Sequence, residues 1–518
     1  LGPLPFEQAR QTSTTVVDRN GKLLRAFAMA DGRWRLPVDA RTDVDPGYLA
    51  LLLAYEDQRY YAHGGVDPWA LGRAAFQLVT RGRIVSGGST ITMQLARLME
   101  PRRHRSLHAK LRQIVRAIEI ERKLGKDEIL NLYLTLAPFG GNLEGVRAAS
   151  IAYFGKEPKR LSLAEEALLV ALPQSPETRR VDRHPQAAQA ARDRVLDRMV
   201  EEGKVSTEDA AQARAVPVPH IRRPMPMLAP HSAERAMATV KDEALIRLTL
   251  DSGLQRNLEA LARDRASALG PDISVAIVAL DNLSGEVLAR VGSPDYFDTR
   301  RAGQVDMTRA VRSPGSTLKP FIYGLAFEDG VVHPDSLIDD RPVRFGAYAP
   351  ENFDMTFQGT VTVRHALQMS LNVPAVALLD RVGASRMTSR LKQAGGSLVL
   401  PEGEAPGLAM GLGGVGVTLQ DLVQLYSGFP RLGTTVPLQD IRRDDDARPE
   451  PLRLLDRAAA WQVASVLLGT PPPDNAVRNR IAFKTGTSYG YRDAWSVGFD
   501  GRMTVGVWVG RPDGAPIP

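Results

Sequence analysis

Hydrophobic and polar positions change period several times along the chain, and each change marks an element. Residues 13–18 are β-prone, Asn20-Gly21 is a strong turn signal and residues 22–29 run back, which predicts a β-hairpin. From about residue 46 to 215 the pattern is helical. Leu107, Leu111, Ile114 and Ile118 fall on one stripe of a helix, and residues 161–172 and 186–201 read the same way. Pro217, Pro219, Pro224, Pro226 and Pro230 then remove any helical period and predict a stiff, partly extended linker.

The second half alternates differently. A helical stretch is expected near 251–268, a hairpin at 273–292 with Ser284-Gly285 near its turn, and helices over 316–328 and 361–432. Strand patterns return at 481–487, 493–500 and 503–510, with Asp500-Gly501 at a tight turn. Strands at both ends of a segment with helices between them predict one antiparallel sheet closed by the segment's two ends. The layout is therefore a hairpin and linker region over 1–45, a mainly α domain over 46–215, a Pro-rich linker over 216–245 and an α+β domain over 246–518. No repeat of solenoid length is present.

Composition narrows the class. Hydrophobic residues at 43% and charged residues at 24% are ordinary globular values, which excludes disorder and low-complexity chains. Zero Cys excludes disulfides, thiolate metal sites and thiol catalysis. Lys+Arg 66 against Asp+Glu 59 leaves +7, which suits an anionic partner such as lipid headgroups or phosphates, a solvated basic surface being the plain alternative. No apolar run reaches the ~18 residues of a membrane-spanning helix. The first residue is Leu1, so the N-terminus is expected to have been trimmed.

Three short patterns carry the chemistry of the second half. Ser316-Thr317-Leu318-Lys319 follows Pro314-Gly315, so a turn should feed a helix on which positions i and i+3 share a face. That sets the Lys319 amine next to the Ser316 hydroxyl, where a buried lysine of lowered pKa can act as base. Ser370-Leu371-Asn372 and Lys484-Thr485-Gly486 follow in order, the last inside a strand pattern. The ordered triple resembles the penicillin-binding transpeptidase domain over residues 246–518, with Leu371 where an Asp is usual in related motifs. The resemblance implies that Ser316 attacks a D-Ala-D-Ala stem peptide, Lys319 activates it and Ser370 relays the proton. Asn372 binds the substrate amide; Lys484, Thr485 and Thr487 receive the terminal carboxylate. Backbone N–H groups of Ser316 and Thr487 form the oxyanion hole. Gly486 is expected to keep the strand edge open to a peptide. No carboxylate is placed to activate a hydrolytic water, which favours an amine acceptor.

In the first half, Glu56-Asp57 is followed by Tyr60, His63 and Gly65, then by Gly87-Gly88-Ser89-Thr90-Ile91-Thr92-Met93-Gln94. Together with Tyr133-Leu134, Phe139-Gly140 and Tyr153-Phe154-Gly155-Lys156 these resemble the family 51 peptidoglycan glycosyltransferases, whose domain is mainly α and lysozyme-like. Glycosyl transfer from a lipid diphosphate needs a base, for which Glu56 is the candidate. It also needs positive charge at the departing diphosphate. Lys110 with Arg102, Arg103 and Arg105 can supply that, with a divalent metal (Mg2+ or Mn2+) as a further source. Asp57, His63, Ser89, Thr90, Gln94 and Gln113 complete the implied substrate-binding set, and no metal ligands are assigned. Gln113 stands where the family has a second carboxylate and cannot donate a catalytic proton.

Both domains in this order resemble the bifunctional class A penicillin-binding proteins, and Met93, Gln113 and Trp34-Arg35-x-Pro37 point to one branch of them. The branch usually has an N-terminal membrane anchor and a further C-terminal domain, which this sequence does not show, so a chain trimmed at both ends is expected. The resemblance implies lipid II polymerisation and stem-peptide cross-linking at the outer face of the inner membrane, towards the periplasm. Its implied partners are lipid II, nascent peptidoglycan, the membrane surface, β-lactams as covalent inhibitors and other cell-wall proteins. The alternative is a glycosyltransferase domain silenced by Gln113 and kept as a lipid II-binding scaffold. Gly411-x-Gly413-x-x-Gly416 spells a dinucleotide fingerprint without the strand before it and reads as a structural turn. His104 and His108 lack a neighbouring carboxylate and sit among Arg residues, which argues against a metal site. Residues 102–105 lack interleaved aromatics, so nucleic acid is not an expected partner.

Overall fold

The computed structural model describes residues 2–72, 88–100, 107–442, 449–474 and 476–517. The chain divides into two units: Leu1–Thr15, Arg25–Pro226 and Asp242–Leu245 form the first, and Val16–Leu24, Met227–Lys241 and Ile246–Pro518 the second.

The first unit is mainly helical. Helix α1 (Pro46–Glu56) starts where Asp45 accepts a hydrogen bond from the Gly47 N–H and Pro46 supplies a ready-made φ. Helix α2 (Ile91–Met99) is capped by Thr90, whose Oγ1 accepts from the Met93 N–H at 3.1 Å. Helices α3 (Leu107–Lys123), α4 (Lys126–Leu136) and α5 (Leu163–Ala171) follow. The core gathers Leu51 and Leu52 of α1, Ile91, Met93 and Leu95 of α2, and Ile129, Tyr133 and Leu134 of α4, all buried. Two features differ from the sequence reading. Residues 46–215 are not helical throughout: Trp34–Arg35, Leu143–Glu144 and Pro138–Gly140 form a small three-stranded sheet in that order. Pro138 and the two positive-φ glycines Gly140 and Gly141 end the helical run and turn the chain. The α3 stripe exists but does not face the core: Leu111 is 61% and Ile118 36% exposed.

The second unit is built on a five-stranded antiparallel sheet. Strands β1 (Ser274–Asp281), β2 (Val287–Val291), β3 (Ala482–Thr487), β4 (Asp493–Phe499) and β5 (Met503–Gly510) lie in the order β3-β4-β5-β1-β2. The early hairpin and the late meander thus meet through the β5–β1 pairing, with Val507 opposite Ile277. Helix α6 (Ser252–Leu269) covers one face through Ala262 and Ala266 against Val275, Ile277 and Val291. Helix α9 (Leu419–Tyr426) covers the other, its Val423 so close that a Cβ at Gly506 would lie 2.4 Å from it. Helices α7 (Lys319–Glu328) and α8 (Asn372–Val382) carry Lys319 and Asn372 to the free edge of β3. The predicted 316–328 helix begins only at Lys319, and the predicted 361–432 run is broken between Ala394 and Thr418. Gly395-Gly396, Pro401 and the glycines of 411–416 remove helix propensity there. Of the fingerprint glycines, Gly411 lies in a 3-10 turn at Leu408–Leu412, Gly413 caps it and Gly416 bridges to Val399 ahead of the Thr418 cap of α9, which is a structural role.

The 13–29 hairpin forms, with strands Thr15–Val17 and Leu23–Ala26. Its Asn20-Gly21 turn is closed by Asp18, whose Oδ1 accepts from the Asn20 and Lys22 N–H groups at 2.8 Å each. Val17 O accepts from the Leu248 N–H at 2.9 Å, so this turn segment is part of the second unit.

Candidate active sites

Ser316 sits in a tight turn just ahead of α7, its N–H on the Pro314 carbonyl at 2.9 Å. Three bonds hold that turn from outside: Trp495 Nε1 donates to Ser313 O at 2.8 Å, Ser313 Oγ to Gly413 O at 2.7 Å, and Tyr426 OH to Thr317 O at 2.5 Å. The turn also presses on strand β3. A Cβ on Gly315, whose φ is +58°, would lie 2.4 Å from Thr487 O, and one on Gly486 would lie 2.5 Å from Pro314 O. Gly486 is thus required by the close approach of the nucleophile's own turn, a different reason from the open strand edge inferred from sequence. That edge exists as well: β3 is an outer strand, with Thr485 and Thr487 exposed and Lys484 and Gly486 buried.

The other polar groups converge on Ser370. Its φ of +58° is a left-handed conformation that costs about 1–3 kcal/mol for a non-glycine residue and aims its side chain between two lysines. Lys484 Nζ donates to Ser370 Oγ at 2.8 Å, and Lys319 Nζ lies 3.2 Å from the same oxygen. Lys319 Nζ also donates to Ser370 O and to Asn372 Oδ1, both at 2.6 Å. Burial, and then the neighbouring Lys484 charge, push the Lys319 amine well below the usual lysine range. Burial lowers Lys484 to about 8. The three oxygen neighbours of Lys319 Nζ are thus Ser370 O, Asn372 Oδ1 and, more distant, Ser370 Oγ. Ser316 Oγ makes no hydrogen bond among the described residues. The amine expected beside it is instead turned towards Ser370 and Asn372.

Asn372 is held by partners that the sequence patterns did not reveal. Its N–H donates to Asn352 Oδ1 at 2.7 Å and its Nδ2 to Glu351 O at 2.6 Å. Asn352 is buried and itself donates to both carboxylate oxygens of the fully buried Asp340.

In the first unit Glu56 ends α1, with one carboxylate oxygen taking the Gln94 amide at 2.7 Å and the other the Gln174 amide at 2.8 Å. Tyr133 OH donates to Gln94 Oε1 at 3.4 Å, which fixes the way that amide faces. Gln94 therefore orients Glu56, and Gln174 is an addition that no local pattern signals. Lys110 Nζ donates to Ser89 Oγ at 2.5 Å, and burial and the charge of Arg97 lower its pKa. Gln113 lies one helical turn from Lys110 on α3, half-buried, with no side-chain hydrogen bond among the described residues. Asp57, His63 and Thr90 are spent on one another and on the backbone. His63 Nε2 donates to Asp57 at 2.9 Å, the Ile91 N–H donates to Asp57 at 3.0 Å, and Thr90 Oγ1 donates to Gly65 O at 2.6 Å. His63 Nδ1 accepts from the Gly65 N–H, so the ring carries its proton on Nε2. These three tie the 57–65 turn to the start of α2, next in sequence to Glu56 and Ser89. Arg102, Arg103, Arg105, His104 and Gly87 lie outside the described residues.

The second unit gathers Lys319, Ser370, Asn372 and Lys484 near the turn that carries Ser316; the first sets a glutamate in a helical fold. The two regions match known families in the same order. Residues 20–200 match the transglycosylase family and residues 275–510 the penicillin-binding protein transpeptidase domain. Penicillin-binding protein 1C of Escherichia coli (strain K12) is 45% identical over all of this chain and 67% of its own length. Penicillin-binding protein 1F of Bacillus subtilis (strain 168) is 31% identical over 96% of this chain and 73% of its own length. The fold also matches the crystal structure of penicillin-binding protein 1A from Haemophilus influenzae, with a TM-score of 0.55 at 17% identity, over 97% of this chain and 88% of that one. The chain belongs to the class A penicillin-binding proteins, bifunctional enzymes with a peptidoglycan glycosyltransferase domain and a transpeptidase domain. Proteins of this family bind β-lactams, act on peptidoglycan substrates and are periplasm-facing membrane proteins. Among the described residues no helix is long and apolar enough to cross a membrane.

Proposed function

We propose that Ser316 is the acylated nucleophile and Lys319 its base, and that Glu56 is the base of glycan polymerisation. The observation that carries the first assignment is the single network of Lys319, Ser370, Asn372 and Lys484 around the turn of an unpaired Ser316 hydroxyl. Lys319 takes the Ser316 proton as Oγ attacks the carbonyl carbon of the terminal D-Ala-D-Ala bond. The C–N bond breaks, and the proton passes through Ser370 to the leaving D-Ala amine. An amine of a second stem peptide then attacks the acyl-serine and releases Ser316. Protonated Lys484, with Thr485 and Thr487, receives the terminal carboxylate, and the Ser316 and Thr487 N–H groups hold the oxyanion.

For polymerisation, Glu56 removes the acceptor hydroxyl proton while Lys110 and the basic residues after α2 neutralise the diphosphate. The described residues offer no cluster of three His, Asp or Glu side chains for a resident metal, and Glu56 is held by amides. A Mg2+ or Mn2+ ion therefore arrives with the diphosphate in this reading, and no step is assigned to it. Exposed Leu111, Val115 and Ile118 share α3 with Lys110, so an apolar lipid surface lies next to the cation that meets the diphosphate. This supports work at the periplasmic face of the inner membrane, with lipid II and nascent peptidoglycan as partners and other cell-wall proteins beside them.

The test crosses two variants with two assays. Ser316→Ala should abolish covalent labelling by penicillin, read by intact mass, and leave lipid II polymerisation unchanged. Glu56→Gln should do the reverse. Polymer from Glu56→Gln, or labelling of Ser316→Ala, overturns the corresponding assignment. Parent protein that binds lipid II without polymerising it would favour the scaffold reading that Gln113 raises.

A further inference from the structure

A cavity of about 430 Å3 lies directly beside the acylation site. Arg312 and Ser313 form one wall, and Ser488, Tyr489, Arg492 and Asp493 the other. Ser313 is in the turn of the nucleophile and Ser488 follows Thr487, so the cavity continues the cleft past the oxyanion-hole end of β3. Its charge is unbalanced. Asp493 is buried, one oxygen taken by Ser488 Oγ at 2.9 Å and the other by Trp508 Nε1 at 3.0 Å. Arg312 is half-buried over the Trp508 ring, with one Nη on the Pro512 carbonyl at 2.5 Å and donors to spare. Arg492 is exposed and makes no ion pair or hydrogen bond among the described residues. Two guanidinium groups thus face one spent carboxylate.

Strand direction says what would reach them. With the terminal carboxylate at Lys484 and Thr485 and the scissile carbonyl at Thr487, a peptide along the β3 edge runs on towards Ser488 and Tyr489. At about 3.3 Å per residue, its side chain at the cavity belongs to the residue just before the acylated one. We propose that Arg312 and Arg492 form a specificity subsite for a carboxylate carried by that preceding residue of the donor peptide. The subsite rests on the transpeptidase reading of Ser316.

The test uses a matched pair of penicillins whose acyl side chain ends in a carboxylate or in its carboxamide, with the rate of acyl-enzyme formation read by mass. The carboxylate compound should react about tenfold faster, as one charge-assisted contact in a half-exposed cleft allows. The preference should shrink at high ionic strength. It should fall severalfold in Arg492→Gln and fall less in Arg492→Lys, while the carboxamide compound reacts equally with all three proteins. Equal rates for the two compounds on the parent protein overturn the subsite. No acylation by either compound overturns the reading of Ser316 itself, so the two failures are distinguishable.

Discussion

The two sites spend their motif residues in opposite ways. In the transpeptidase unit the signature side chains bond to one another: Lys319, Ser370, Asn372 and Lys484 share four contacts of 2.6–3.2 Å, while the Ser316 hydroxyl makes no hydrogen bond among the described residues. In the glycosyltransferase unit part of the signature bonds to itself and to the backbone. Asp57, His63 and Thr90 fix a turn, and Glu56 is oriented by two amides that come from distant parts of the chain. Covalent catalysis needs a proton path between adjacent groups, so its residues must touch. Transfer from a large lipid diphosphate needs a base and a cation held apart with room between them, so its residues must be positioned separately.

The comparison breaks most visibly when one reacting atom is removed from each side. Ser316→Ala should lower acylation by at least about 10^4-fold, since loss of the nucleophile leaves only binding and the oxyanion hole. Glu56→Gln should lower polymerisation by about 10^2–10^4-fold, the usual range for a general base. Each should leave the other activity unchanged in the same sample.

A third variant tests whether the acylation site depends on backbone fit as well as on its polar network. Gly486→Ala places a methyl 2.5 Å from Pro314 O and 2.8 Å from Thr317 Cγ2. The turn of Ser316 must then lift off β3, and a displacement near 1 Å costs about 10^2-fold. Acylation should fall by that amount with polymerisation intact; an unchanged rate would show that the turn moves freely and that Gly486 serves only the strand edge.

How far these sites were legible follows from the range of the contacts. Ser316, Lys319, Ser370, Asn372 and Lys484 stand in short local patterns, and the structure joins the last four of them in one network. The five-stranded sheet was legible too, because the strands of 273–292 and 481–510 carry clean turn signals. Gln174, Asn352 and Asp340 were not, since each acts through hydrogen bonds to residues a dozen or more positions away, which leave no periodic trace. The strands at 34–35 and 138–144 were missed because two or three residues are too few to show a period. The left-handed Ser370 was hidden for another reason: serine has no preference that announces a positive φ.

Protonation separates the sites next. Acylation needs Lys319 neutral and Lys484 charged. Both amines are shifted downwards, which favours the neutral form of Lys319, while the carboxylate-binding charge of Lys484 is lost as pH rises through about 8. The rate of penicillin acylation should therefore fall towards tenfold per pH unit above that value. Polymerisation by the same protein should lack this limb. An acylation rate that stays flat to pH 10 would place the proton of Lys484 elsewhere.

The smallest effect sharpens the comparison rather than breaks it. Gln174→Ala removes one of the two amides on the Glu56 carboxylate and leaves the Gln94–Tyr133 arm in place. Gln174 touches no reacting atom, so the loss is one of orientation, at most about tenfold in polymerisation, as one hydrogen bond to a charged group allows. Gln94→Ala should cost a similar amount. The informative value is the double variant: two amides that hold one carboxylate should lose together more than the product of the single losses, because either alone still restrains the group. Acylation by penicillin, measured alongside, should not change in any of the three. Simple multiplicative losses would mean that each amide meets the substrate directly, and the glycosyltransferase site would then resemble its neighbour, with motif side chains that act on the ligand themselves.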